Sequence, residues 1–138
     1  MQWNDSFATS VREVDDEHRA LFRLCDALES RLEAGAETSE IQALAADVII
    51  HAAHHFAHEE RQMRAAGYSL YGWHRSQHQN ARRRLRTYEQ HLRRGEREKA
   101  AELVSFLSGW LNEHVRLADR MFGAFMRNHD RELTARAS

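Results

Sequence analysis

The stretch His51 to Glu60, HAAHHFAHEE, sets four histidines (His51, His54, His55, His58) and two glutamates within ten residues. Imidazole nitrogens and carboxylate oxygens together suit iron, zinc, copper and manganese, so metal binding is the chemistry these side chains offer. Such ligands must converge across a core. Which of them do so depends on how they rotate around the element that carries them.

Successive side chains on an α-helix turn by ~100°. Ile41, Val48, Ala52, Glu59 and Met63 then share one face. Glu59 lies almost at its centre and His55 within about 50°, whereas His51 and His58 sit roughly a quarter turn or more away and His54 points nearly opposite. His55 and Glu59 are the inward candidates. The other three read as exposed helix positions, with weak surface metal capture as the lesser alternative.

A glutamate in the middle of an apolar face is costly unless a positive charge meets it. Three further segments send histidines toward the same axis. His74 and His78 form an i, i+4 pair on the stripe of Ala81 and Leu85; His114 aligns with Leu107, Leu111 and Met121; and His18 aligns with Leu21, Phe22 and Cys25. Five imidazoles and a carboxylate cannot satisfy one another inside a small bundle, whereas bound metal accounts for all of them. They exceed the needs of one tetrahedral zinc, so a two-metal centre with carboxylate bridges is the natural filling, and redox function favours iron. The Glu-x-x-His pairs of ferritin-like di-iron bundles are absent, which disfavours a ferroxidase.

The elements that position these residues are four amphipathic segments, with predicted helices at about 16–34, 39–66, 71–94 and 97–128. The first carries Leu21, Phe22, Cys25, Leu28 and Leu32 and ends near Gly35. The second opens at Ser39, with Gln42 completing a capping-box pattern, and ends before Gly67. The third ends at Gly95, and the fourth carries Leu103, Phe106, Leu107, Trp110, Leu111, Ala118, Met121, Phe122 and Phe125. Short connections imply an all-α, antiparallel up-down-up-down four-helix bundle, with residues 1–15, containing Trp3 and Phe7, as an N-terminal arm packed outside it.

The 138 residues suit a single domain. Proline is absent, and the 42% hydrophobic and 30% charged composition is that of a folded globular chain. A net charge of −1 gives no general pull toward nucleic acid or a membrane surface. No run approaches the ~18 apolar residues of a membrane span. A lone cysteine, Cys25, and an N-terminus without signal-peptide character lead to the expectation of a cytoplasmic protein. Residues 75–99 carry nine Arg or Lys against three Glu; this is read as a solvated helix face, with docking to an acidic partner or nucleic acid as the alternative.

The motifs DDEH with HRALF (His18), HFAHEE (His55, Glu59), HRSQH (His74, His78) and WLNEHVRLAD (His114, Asp119) resemble those of the hemerythrins, in particular single-domain bacterial ones. The likeness runs from Trp3 to about Phe122. It implies two iron ions joined by an oxygen bridge, with His74, His78 and His114 on one, His18 and His55 on the other, and Glu59 and Asp119 across both. The second iron is then one ligand short, and O2 binds there with one electron from each iron. The likeness further implies an O2 pocket lined by Leu21, Phe56, Trp110, Leu111 and Val115, which by themselves read simply as core.

Asp119 enters only through the resemblance. Five residues beyond His114, it is turned ~140° away on an ideal helix and would read as solvent-facing, so the motif requires a different angle of approach or a locally wide helix. Phe122 stands where many relatives have Tyr, and a hydrogen bond from that hydroxyl is lost. Cys25 reads as a small core residue. The leading expectation for function is reversible O2 binding for carriage, storage or delivery. Sensing through a partner protein, or di-iron reduction of peroxide or nitric oxide, are the alternatives, and no acid–base residue beyond the ligands singles out an enzyme.

Overall fold

The protein is described by a computed structural model covering residues 3–9 and 11–137. Its elements are a 3-10 turn (Asp5–Phe7), α1 (Arg12–Glu33), α2 (Thr38–Ala66), α3 (Tyr71–Arg93), α4 (Glu98–His114), a π-helical segment (Val115–Asp119) and α5 (Arg120–Ala137). α4, the π segment and α5 run on without a break as the fourth helix of an all-α bundle. α1 and α3 each pack against α2 and α4, so every helix lies beside its neighbours in sequence and the ring closes.

The turns are set by backbone chemistry. Gly67 takes a left-handed φ of 69° at the end of α2, and the N–H groups of Gly67 and Tyr68 return to Arg64 O and Met63 O. That closure fixes where α3 begins, and with it the phase of His74 and His78. The capping box expected at Ser39 does not form. α2 starts at Thr38 without a side-chain cap, and Gln42 Nε2 instead donates to Leu92 O at 2.7 Å, tying α2 to the carbonyl end of α3.

Two other boundaries differ from the pattern. α1 begins at Arg12, because Asp15 Oδ1 accepts from both the N–H (2.9 Å) and the hydroxyl (2.7 Å) of Thr9 and binds the incoming chain to the first turn. The fourth helix continues to Ala137, nine residues past the expected end at 128. The arm does pack outside the bundle: Phe7 is buried edge-on against Phe22 with ring centres 5.0 Å apart, and Arg19 caps the Trp3 ring.

The apolar core is interrupted by a polar layer. On α2, Glu59 falls between buried Phe56 and Met63; on the fourth helix, His114 and Asp119 fall between buried Leu111 and Phe122. The larger apolar cluster fills one side of this layer, and Met63, Tyr68 and Phe122 form a smaller one with Phe125 packed on it. Among the described residues no helix is long and apolar enough to cross a membrane.

Candidate metal centre

Each bundle helix delivers ligand-type side chains to the polar layer: His18 from α1, His55 and Glu59 from α2, His74 and His78 from α3, and His114 and Asp119 from the fourth. All seven are buried, Asp119, His18, His74 and His78 completely. Their ligand atoms fall into two groups, each within 4.8 Å: Glu59, His74, His78, His114 and Asp119; and His18, His55, Glu59 and Asp119.

The two carboxylates divide their oxygens between these groups. Glu59 Oε1 lies 2.6 Å from His74 Nε2 and 3.3 Å from His78 Nε2, while Oε2 faces His55 Nε2 at 3.6 Å. Asp119 Oδ1 lies 2.9 Å from His74 Nε2 and 3.1 Å from His114 Nε2, while Oδ2 faces His18 Nε2 at 2.8 Å. One oxygen to each side is the arrangement of a carboxylate that can bridge two cations.

Asp119 reaches this position because residues 115–119 form a π turn. An i→i+5 repeat brings residues five apart onto one face, whereas a 3.6-residue repeat would separate them. The same widening moves the face that a straight helix would give to Met121. Met121, expected on the core stripe with His114, is exposed at 38%, and Phe122 is fully buried instead.

The histidines are held by partners that periodicity did not reveal. Nδ1–H of His55 donates to Glu17 Oε2 (2.9 Å), that of His78 to Glu60 Oε2 (2.7 Å), and that of His114 to Gln77 Oε1 (2.8 Å). With Nδ1 carrying the proton, Nε2 turns its lone pair to the centre, as metal-ligating imidazoles require. Arg82 supports Glu60 from the far side, Nη2 to Oε2 at 2.8 Å, so this arginine of the basic stretch is not merely solvated. The available signals were adjacency, with Glu17 beside His18 and Glu60 beside Glu59, and the Arg82 position four residues after His78.

Burial opposes a charge on His74, but the carboxylates of Asp119 and Glu59 outweigh it and lift its pKa to about 9. His18 moves up for the same reason, through Asp119. Burial, reinforced by His74 and His78, pushes His114 down. Burial also opposes the Asp119 carboxylate, yet His114 and His18 hold it well below the usual range.

The donor set fits a cation better than it fits itself. Nε2 of His114 lies 3.0 Å from that of His74 and 3.2 Å from that of His78, placing nitrogen against nitrogen. Six buried atoms that face one another across the layer, His18 Nε2, His55 Nε2 and the four carboxylate oxygens of Glu59 and Asp119, lack aligned hydrogen bonds. Cations held in the layer would satisfy these atoms.

Of the expected pocket residues, Leu21, Phe56, Leu111 and Val115 are buried in one apolar cluster and Trp110 is half-buried against it. Phe56 stacks on His78 at 4.5 Å and Trp110 on His114 at 4.2 Å, so these two shield the three-histidine side. His51 and His54 are exposed as anticipated. His58 is not: it is half-buried and hydrogen-bonded through Nδ1 to Glu17, which turns it toward α1. Cys25 is buried, its thiol pushed up to about 12 by burial, as a core residue would be.

The model of the family "Hemerythrin HHE cation binding domain" matches residues 9–125. The chain is similar to the bacteriohemerythrin of Pseudomonas paraeruginosa, at 28% identity over 131 residues that cover 95% of this chain and 84% of that one. It is also similar to that of Methylococcus capsulatus, at 27% identity, covering 89% and 94%. A crystal structure of wild-type hemerythrin superposes with a TM-score of 0.84 at 26% identity, covering 90% of this chain and 95% of its own.

Proposed function

We propose, from the premise that this chain belongs to the hemerythrin family, that its arm and four helices act as one domain binding O2 reversibly at a two-iron centre for carriage, storage or delivery. The observation that carries this reading is the unequal division of ligands around two shared carboxylates, five residues on one side and four on the other. His74, His78 and His114 would hold the first iron, His18 and His55 the second, with Glu59 and Asp119 across both. With four residues rather than five on its side, the second would have room for a small ligand. Such a centre supplies one electron from each iron to O2 and recovers both on release.

The chain's own residues provide the conditions for reversibility. Two ferrous ions, two carboxylates and a hydroxide sum to about one positive charge, small enough to bury among neutral imidazoles. Glu17, Glu60 and Gln77 hold the imidazole N–H groups outward and keep the rings in register. Leu21, Phe56, Trp110, Leu111 and Val115 keep water from the layer, which prevents loss of reduced oxygen to solvent.

The test is spectroscopic. The anaerobically reduced protein, holding about two irons per chain, should develop a visible charge-transfer band with O2 and lose it when O2 is removed. Rapid oxidation that does not reverse would overturn carriage in favour of sensing or catalysis.

A further inference from the structure

Three of the histidines outside the buried layer form a row of their own on α2. His51, His54 and His58 lie at i, i+3 and i+7 on α2, and together with Glu17, His55 and Arg61 they line a surface groove of about 460 Å³. His55 belongs to the buried cluster, so the groove leads from solvent to one of the cluster's ligands.

The state of each ring suits metal capture. His51 Nδ1–H donates to Asp47 O at 2.9 Å, which leaves Nε2 as a free lone pair. His58 Nδ1–H donates to Glu17 Oε1, and its Nε2 lies 4.0 Å from Glu13 Oε2. His54 stands one helical turn before His58, exposed and with no hydrogen bond or ion pair among the described residues. An i, i+4 histidine pair has the spacing of a chelating pair, and here one member is oriented by a carboxylate while a second carboxylate lies 4.0 Å from its other nitrogen.

We propose that His54 and His58, with His51 and Glu13 at hand, capture a divalent transition-metal ion at the protein surface and pass it inward to the buried cluster. Glu17 makes the connection. Its Oε1 holds His58 and its Oε2 holds buried His55, so a single carboxylate spans the outer and inner histidines. Capture involves ligand exchange only, with no change of oxidation state. The destination rests on the two-iron reading above; the outer donor set does not.

The test uses the intact chain and His54→Gln, an exposed change outside the buried layer. Titrated with Ni2+ after the buried cluster is filled, the unsubstituted protein should bind one further ion, and His54→Gln should bind it at least ~tenfold more weakly. Under anaerobic conditions at low Fe2+, the metal-free His54→Gln protein should fill severalfold more slowly yet reach the same final iron content. Absence of the extra Ni2+, equal Ni2+ affinity in the two proteins, or equal filling rates would each overturn the proposal. If neither protein retained iron, the two-iron reading would have failed and the inward route with it, an outcome distinguished by the final iron content.

Discussion

His114 and Asp119 are five residues apart on one helix, yet both reach the same atom: His74 Nε2 lies 3.0 Å from His114 Nε2 and 2.9 Å from Asp119 Oδ1. The π turn between them makes this possible. It also gives Asp119 an oxygen on each side of the layer, the feature on which the pairing of two ions would depend.

On the two-iron proposal, Asp119→Asn should therefore weaken the pairing of the ions. The amide keeps the size of the side chain and removes the charge, leaving His18 and His55 with Glu59 as the only carboxylate, while the other side retains three histidines and Glu59. Iron per chain after anaerobic loading should fall from about two to about one. Retention of both ions in the variant would show that Asp119 is dispensable as a bridge.

Glu60→Gln tests the support from behind. Burial raises the pKa of Glu60, but the hydrogen bonds it accepts from His78 Nδ1–H and the Arg82 guanidinium outweigh that and draw it down. Loss of such a partner lowers metal affinity by roughly 10–100-fold. Competition with a chelator should reveal that loss with little change in helix content by circular dichroism. Unchanged affinity would mean that packing alone, including the Phe56 stack, orients His78.

Much of this was legible in the sequence and some was not, for identifiable reasons. His18, His55, Glu59, His74, His78 and His114 stand on regular helical stripes, so a fixed rotation per residue finds them. Asp119 and Met121 lie within or beyond a π turn, where that rotation fails, and the family motif was needed to bring Asp119 in. Glu17, Glu60 and Gln77 act at the edge of the layer, where a polar residue is compatible with solvent as well as with a ligand. The Ser39 capping box satisfied a local pattern, but Gln42 had a distant carbonyl to bond, and tertiary structure prevailed.

The raised pKa of His74 predicts a proton release. In the metal-free protein His74 titrates at about 9, so at pH 7 it is protonated, and a ligating nitrogen must lose that proton. Metal affinity should rise with pH up to about 9 and then level for this group. The sign for the metal-free fold is opposite: the stabilisation from protonated His74 is complete below its unfolded pKa near 6.5 and disappears as pH rises through about 9. Calorimetry of loading in buffers of different ionisation heat should register the released proton at pH 7 and less of it at pH 10. Equal release at both values would refute the assignment.

Tyr68 carries a buried hydroxyl with no hydrogen-bond partner among the described residues, beside Phe122 at a ring distance of 5.3 Å. Burial, with the Glu59 and Asp119 charges, pushes its pKa up, so it remains neutral. Tyr68→Phe removes the unpaired group at nearly constant shape and should stabilise the metal-free protein by about 1 kcal/mol. Urea denaturation measures this, and a loss of stability would mean that the hydroxyl has a partner in solution.

Gly123→Ala probes the arm that covers the π turn. A methyl group at residue 123 would lie 2.4 Å from Thr9 O and 3.0 Å from Thr9 Cβ, and the backbone oxygen cannot rotate aside. Thr9 is itself fixed by two bonds to Asp15, and nearby Arg116 of the π turn donates to Ser6 Oγ and lies 4.6 Å over the Phe7 ring. Helix propensity alone favours alanine over glycine by about 1 kcal/mol, so the sign of the measured change decides between the two effects. Displacing the arm should prevail, lowering stability by roughly 1–3 kcal/mol and altering Trp3 fluorescence as its contacts with Phe7 and Phe22 open. A more stable variant with unchanged fluorescence would show that the arm yields without cost and does not brace the π turn.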